Sequence, residues 1–321
     1  MTAIRQPGKI NDHTTMIDLG MYGFRGITAL YLVEGHKRCL IDGGTATEAK
    51  RLIKTLMALQ VFPPDVVVVT HPHYDHAQGI PALRRAAEQQ QKRIEVIASR
   101  DAIPLLADPS FNDVFGPGPW EAVEDVMPVD DGDTIDLGGI TLRVHAVPGH
   151  CTGHIALLDE QARNLFAGDC IIYKLGDRTA IPPFMPPCWD PDAFRATIAR
   201  LKQVDYRTMC LAHYGMIYDS EAKTILDEAV ATLGTWWSLF DRNAARLDDL
   251  DFMVAAVMKE INPAVPDVSP VSFPLTVLFP VLAAWNRLLG KGPQAITSLL
   301  LRPTVEQLAL GYRMYHGARA G

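Results

Sequence analysis

Asp65-Val66-Val67-Val68-Val69-Thr70, followed at once by His71-Pro72-His73-Tyr74-Asp75-His76, decides how this chain is read. The first half is apolar on both faces, as expected of a central strand buried on either side of its sheet. The second half sets three imidazoles and a carboxylate within six residues at the C-terminal end of that strand. Imidazole and carboxylate are the donors that borderline divalent metals such as zinc and iron prefer, and a strand end gives them rigid support. The plain alternative is a polar loop that happens to be rich in histidine, so the rest of the chain must choose between the two.

Working outward, 29–42 reads as a hairpin turning at Glu34-Gly35-His36-Lys37. A helix is expected over 47–60, with Leu52, Ile53, Leu56 and Met57 on one face and Pro63-Pro64 as its stop. Further on, 94–98 reads as a strand, and Ile140, Leu142, Val144 and Ala146 alternate with Gly139, Thr141, Arg143 and His145 in a period of two. His150 follows that strand just past Pro148-Gly149. Asp169 follows another over 164–167, and His213 follows the apolar run 209–212. Functional groups collect at the C-terminal ends of strands in α/β proteins, and the repeated placement favours a site over a chance loop. Asp190-Pro191 reads as an N-cap with proline at the first helical position. From Asp219 onward helices without strands are expected near 221–240, 252–261, 276–289 and 305–316. The reading is an α/β domain over 1–218 and a helical C-terminal region over 219–321.

Hydrophobic residues make up 48% and charged residues 21% of the 321, which excludes extended disorder and fibrous repeats. The net charge of −7 argues against a nucleic-acid partner. Five widely spaced cysteines with no C-x-x-C pair suit neither a disulfide framework nor a thiolate zinc site, so a reducing compartment is expected. The first residues lack the continuous apolar run of a secretory signal. The most apolar stretch, 271–289, is broken by Pro274 and Pro280. It is expected to form a buried helix or a homodimer contact rather than a membrane span, in a cytoplasmic protein.

Taken in order, His71-x-His73-x-Asp75-His76, Pro148-Gly149-His150, Gly168-Asp169 and Ala212-His213-Tyr214-Gly215 resemble the metallo-β-lactamase superfamily of metal-dependent hydrolases, over about residues 14–219. Ile41-Asp42-Gly43-Gly44 agrees, and Gly149-His150-Cys151-Thr152-Gly153-His154 is similar to the family's G-H-T-x-G-H. The resemblance implies an αββα four-layer sandwich. It implies two divalent metal ions, zinc foremost with iron or manganese as alternatives. His71, His73 and His150 would hold the first metal, Asp75, His76 and His213 the second, and Asp169 would bridge both. Two cations about 3.5–4 Å apart share a hydroxide that stays nucleophilic at neutral pH, with Asp75 to orient it or take its proton. His154 is expected to support the ligands by hydrogen bonding. His145 is expected to be no ligand, and Cys151 and Cys170 to be small packed residues.

Fold and metal alone leave the substrate open. Zinc β-lactamases of the family generally lack the Asp75 and Asp169 combination, flavo-diiron relatives carry glutamate where His73 stands, and nuclease relatives add motifs not found here. Tyr173, Lys174 and Arg178 lie where glyoxalase II enzymes contact glutathione, although their C-terminal binding pattern is not recognisable. Phe184, Met185, Trp189, Trp236, Trp237 and 273–285 are expected to line an apolar, capped pocket, with simple helix packing the competing reading for the tryptophan pair. One of Tyr74, Tyr214 and Tyr218 is expected to face a developing oxyanion. The expectation is a hydrolase that cleaves a thioester or lactone in a small, partly apolar substrate. Phosphodiester or phosphotriester hydrolysis and iron-dependent sulfur or oxygen redox chemistry are the alternatives.

Overall fold

In the computed structural model, which describes residues 3–176, 179–264, 266–271 and 292–320, Val66–Val69 is an interior strand of a seven-stranded sheet. The order across that sheet is Gly8–Lys9, Thr14–Asp18, Ala29–Glu34, Arg38–Ile41, Val66–Val69, Glu95–Ser99 and Val126–Val129. The expected hairpin pairs Ala29–Glu34 with Arg38–Ile41 in antiparallel register. From Arg38–Ile41 onward the pairing is parallel. Parallel neighbours need crossovers, which the helices Ala49–Ala58 and Ile80–Glu88 supply.

A second seven-stranded sheet runs Ala3–Ile4, Gly215–Tyr218, Thr208–Leu211, Asn164–Gly168, Ile155–Asp159, Thr141–Ala146 and Thr134–Asp136. Three apolar clusters define the layers. Tyr31, Val33, Ile41, Val66 and Val68 face Leu142, Val144, Leu157 and Phe166 between the sheets. The alternate residues Leu30, Leu32, Leu40, Val67 and Val69 pack outward against Leu52, Leu56, Ile80 and Leu83. Leu165, Ala167, Met209 and Leu211 of the second sheet pack outward against Phe194, Trp236, Phe240, Val257, Val305 and Leu308. The period-two alternation of each strand thus feeds two different cores, which makes the αββα sandwich.

Asp190 caps the helix Pro191–Leu201 through the backbone N–H groups of Asp192 and Ala193, as expected. The C-terminal region departs from expectation in two places. Ser269–Pro270 forms a short antiparallel pair with Phe24–Arg25, so the region is not free of strands. The last helix runs from Gly292 to Ala320 and carries Pro303 inside it, well beyond the expected 305–316. The helix expected over 276–289, and with it the apolar stretch after Val271, lies outside the described residues. Among the described residues no helix is long and apolar enough to cross a membrane.

Candidate metal centre

The two sheets meet at one end, where Ile155 N–H donates to the carbonyl of Thr70 at 2.9 Å and Ala29 N–H to that of Ala212 at 2.8 Å. All seven predicted ligands gather there and all are buried. His71 follows Val66–Val69, and a single helical turn, Tyr74–Ala77, carries Asp75 and His76. Asp169 is aimed by Gly168, whose φ of 53° leaves no room for a side chain. A Cβ there would stand 2.5 Å from His154 Nε2.

Four of the five imidazoles are oriented from behind by hydrogen bonds. His150 Nδ1 donates to the Pro183 carbonyl at 2.7 Å and His213 Nδ1 to that of Ile27 at 2.8 Å. His76 Nδ1 donates to Asp42 Oδ2 at 2.8 Å. Thr70 Oγ1 donates to Asp42 and so accepts from His71 Nδ1 at 3.1 Å. These bonds leave the Nε2 lone pairs of His71, His76, His150 and His213 turned inward. His73 differs: its Nδ1 turns inward, and its ring is held by stacking on Phe111 and an edge contact with Phe115. Asp42 sits at φ 66°, a left-handed conformation costly for a residue with a side chain. Its bonds to His76 and to the Thr70 N–H and hydroxyl hold it there.

His71 Nε2, His73 Nδ1 and His150 Nε2 form a triangle with sides of 3.1, 2.9 and 3.2 Å. Lone pairs so close repel unless a cation lies among them, and the edge of a tetrahedron with zinc–nitrogen arms is about 3.3 Å. Asp75 Oδ2 lies 3.2 Å from His213 Nε2 and 3.8 Å from His76 Nε2. Asp169 reaches both groups. Its Oδ2 is 3.6 Å from His150 Nε2 and 3.5 Å from His213 Nε2, and its Oδ1 is 3.5 Å from His76 Nε2. His76 Nε2 and Asp169 Oδ1 are buried with no hydrogen-bond partner among the described residues, a costly arrangement that a shared cation relieves. The donor set therefore fits divalent metal.

Burial, reinforced by neighbouring imidazoles, holds His71 and His73 well below the usual histidine range, and burial likewise lowers His150. Burial pushes His76 and His213 the same way, but Asp169 and the other carboxylates beside them outweigh it and raise both. Burial alone would raise Asp75 and Asp169. The imidazoles of His76 and His213 more than offset it and keep both carboxylates low.

His154 Nε2 accepts from the Asp169 N–H at 3.3 Å, the supporting role expected of it, and His145 stands away from the cluster. Cys151 and Cys170 are buried and free. Asp42 is the participant that sequence reasoning passed over, although Ile41-Asp42-Gly43-Gly44 had marked the segment. Asp75, Asp169 and His213 form one wall of a cavity of about 150 Å³, whose other lining includes Met21, Ile27, Phe115, Leu175, Ile181 and Met185. Of the expected apolar lining, Met185 alone reaches it among the described residues. Phe184, Trp189 and Trp236 are consumed by the core, and Trp237 packs on Phe184 and Tyr312. Residues 273–285 and Arg178 lie outside the described residues. Lys174 turns from the cavity to pair with Glu228. Tyr74 lines the cavity and meets Tyr22 hydroxyl to hydroxyl, whereas Tyr214 donates to the Arg5 carbonyl at 2.6 Å. Tyr173, not among the three tyrosines singled out for an oxyanion, also lines the cavity.

A family model described as the metallo-beta-lactamase superfamily matches residues 22–213. The chain is 30% identical over 186 residues to the beta-lactamase-like protein 2 homolog of Caenorhabditis elegans, covering 56% of each. It is 33% identical over 118 residues to the acyl-coenzyme A thioesterase MBLAC2 of Bos taurus, covering 34% of this chain and 42% of that protein. It is 25% identical over 150 residues to the hydroxyacylglutathione hydrolase of Rhodopseudomonas palustris, covering 46% and 48%. The matches thus span about half the length of these relatives. Among solved structures, a B3 metallo-beta-lactamase with an active-site glutamic acid superposes with a TM-score of 0.57 at 21% identity, covering 73% of this chain and 90% of that one. That likeness bears on the fold.

Proposed function

The chain belongs to the metallo-beta-lactamase superfamily, and from that premise we propose that it hydrolyses a thioester of a small, partly apolar acyl group. The observation that carries the reading is the joining of a buried His and Asp cluster to a cavity whose remaining lining is mostly apolar. Two of the relatives bear the names of thioester hydrolases. In this reading His71, His73 and His150 would hold one divalent ion and Asp75, His76 and His213 a second, with Asp169 within reach of both groups; zinc is the first choice and iron or manganese the alternatives. Such ions supply Lewis acidity that makes water nucleophilic at neutral pH and polarises a carbonyl oxygen.

The protein's own groups do the rest. Asp75, kept ionised by His76 and His213, accepts the proton that the attacking water gives up. Burial raises Tyr173 and Tyr74, so both keep their protons and can donate to a substrate oxygen on the cavity wall. The apolar lining takes the acyl chain and excludes water from it. The acyl carbon–sulfur bond breaks, a carbon–oxygen bond forms, and the proton held at Asp75 passes to the departing thiolate.

The test is elemental analysis of protein purified without added metal, together with a panel of thioesters, lactones and phosphodiesters. Two equivalents of metal with thioester turnover are expected. Turnover confined to phosphodiesters, or one equivalent of iron with oxygen-dependent chemistry and no hydrolysis, overturns the reading.

A further inference from the structure

The helix Gly292–Ala320 lies beyond the family-matched residues 22–213, yet it completes the wall of the cavity. Pro303, Thr304 and Gln307 share one helix face, at spacings of one and three residues, and all three line that cavity. The neighbouring face carries Leu301, Val305, Leu308 and Tyr312 into the core with Phe184 and Trp236. The helix is docked closely: a Cβ at Gly311 would stand 2.3 Å from the Phe184 carbonyl oxygen. Arg302 pairs with Asp251, Arg313 with Asp248, and the Tyr312 hydroxyl with Asp241. Gln307 is therefore held in place from several sides.

Its Oε1 is buried and has no hydrogen-bond partner among the described residues. The cavity it lines also carries Met21, Ile27, Phe115, Leu175, Ile181 and Met185 and the tyrosines Tyr22, Tyr74 and Tyr173, and none of these pairs with Gln307 Oε1. A buried, unpaired carboxamide oxygen in such a lining is costly, and folded proteins keep such a group where a ligand or water completes it.

We propose that Gln307 is a specificity-determining residue that hydrogen-bonds a hydroxyl group carried on the acyl chain, so that the preferred substrate is a hydroxyacyl thioester rather than a plain alkanoyl one. This rests on the thioester reading above. A hydroxyl is the smallest group that both donates and accepts, and it pairs with either end of a carboxamide, which can turn about its last bond. A site built to hydrogen-bond a hydroxyl discriminates against the analogue lacking it, because its own polar group is then left unpaired.

The experiment compares S-ethyl thioesters of one acyl length, unsubstituted or hydroxylated at successive carbons, on metal-loaded wild type, Gln307→Leu and the near-isosteric Gln307→Met. Wild type is expected to favour at least one hydroxy isomer by about tenfold or more in kcat/KM, mainly through KM. Both variants are expected to bring that ratio to within about twofold. Equal rates for all isomers in wild type, or an unchanged preference in either folded variant, overturns the proposal. The matching ketones, with methylene in place of sulfur, are titrated by calorimetry in parallel. If no thioester turns over, the thioester reading fails. The role of Gln307 then stands on tighter binding of a hydroxy ketone by wild type and loss of that preference in the variants, and it falls if either is missing.

Discussion

His71, His73 and His150 face one another, and Asp169 is the one carboxylate within 4.0 Å of their ring nitrogens among the described residues. His76 and His213 instead face carboxylates on several sides: Asp42, Asp75 and Asp169 for the first, Asp75 and Asp169 for the second. Both groups are buried at the same sheet ends, and both rely on backing hydrogen bonds. Their protonation nonetheless runs in opposite directions. The first three imidazoles are lowered and stay neutral, while His76 and His213 are raised towards the imidazolium form and hold Asp75 and Asp169 ionised. Burial is common to both; the carboxylates near each group make the difference. A cation entering the first group meets ready lone pairs, whereas one entering the second must displace protons.

The harshest way to break the contrast is to remove the group common to both sides. Asp169→Ala is expected to lower metal content by at least one equivalent and kcat/KM by about 10³-fold or more, with the circular dichroism spectrum of the folded protein preserved. Unchanged metal content and turnover would refute the assignment of all seven residues.

The contrast itself is tested by pH. Above their lowered pKa values the first three imidazoles carry no proton to lose, so affinity there is flat. Below the raised values of His76 and His213, affinity at the second group climbs up to about tenfold per pH unit for each proton released. Competition titrations with a chromophoric chelator at pH 6, 7 and 8 are expected to resolve one pH-insensitive and one pH-sensitive ion. Equal slopes would show that the carboxylates do not divide the centre in this way.

Asp42→Asn sharpens the point, since asparagine tolerates the left-handed backbone while surrendering the charge that orients His76. It is expected to weaken the second ion by about 10–100-fold and leave the first unaltered. An equal loss at both ions would make Asp42 a general structural support. The smallest effect belongs to Asp190, which caps Pro191–Leu201 and whose N–H donates to the Gly149 carbonyl beside His150 at 2.8 Å. Asp190→Ala is expected to cost about 1 kcal/mol of stability in denaturant titrations, and any change in metal binding is expected at the first group only.

Much of this was legible before any coordinates. Strand 66–69 and its histidines are adjacent in the chain, so covalent spacing already placed three imidazoles and Asp75 together. His150, Asp169 and His213 could be set beside them because each follows the end of an expected strand, where functional groups collect in α/β proteins, and because the order of the motifs resembles that of the metallo-β-lactamase superfamily. The backing groups were less visible. Asp42 lies 34 residues from His76, and Ile27 lies 186 from His213. Sequence marks neither distance with a pattern, because a single hydrogen bond leaves no periodicity.

What the sequence determined by itself is the chemistry of the donors and the strand ends that carry them, since those follow from residue type and from a repeat the backbone imposes. Tertiary structure decided the orientation and use of side chains. It turned His73 inward by Nδ1, swung Lys174 away to Glu228, spent Phe184, Trp189 and Trp236 on the core and brought Gln307 to the cavity wall. Each of these outcomes depends on which distant surfaces a side chain meets, and packing and burial are settled by the folded neighbourhood rather than by neighbours along the chain.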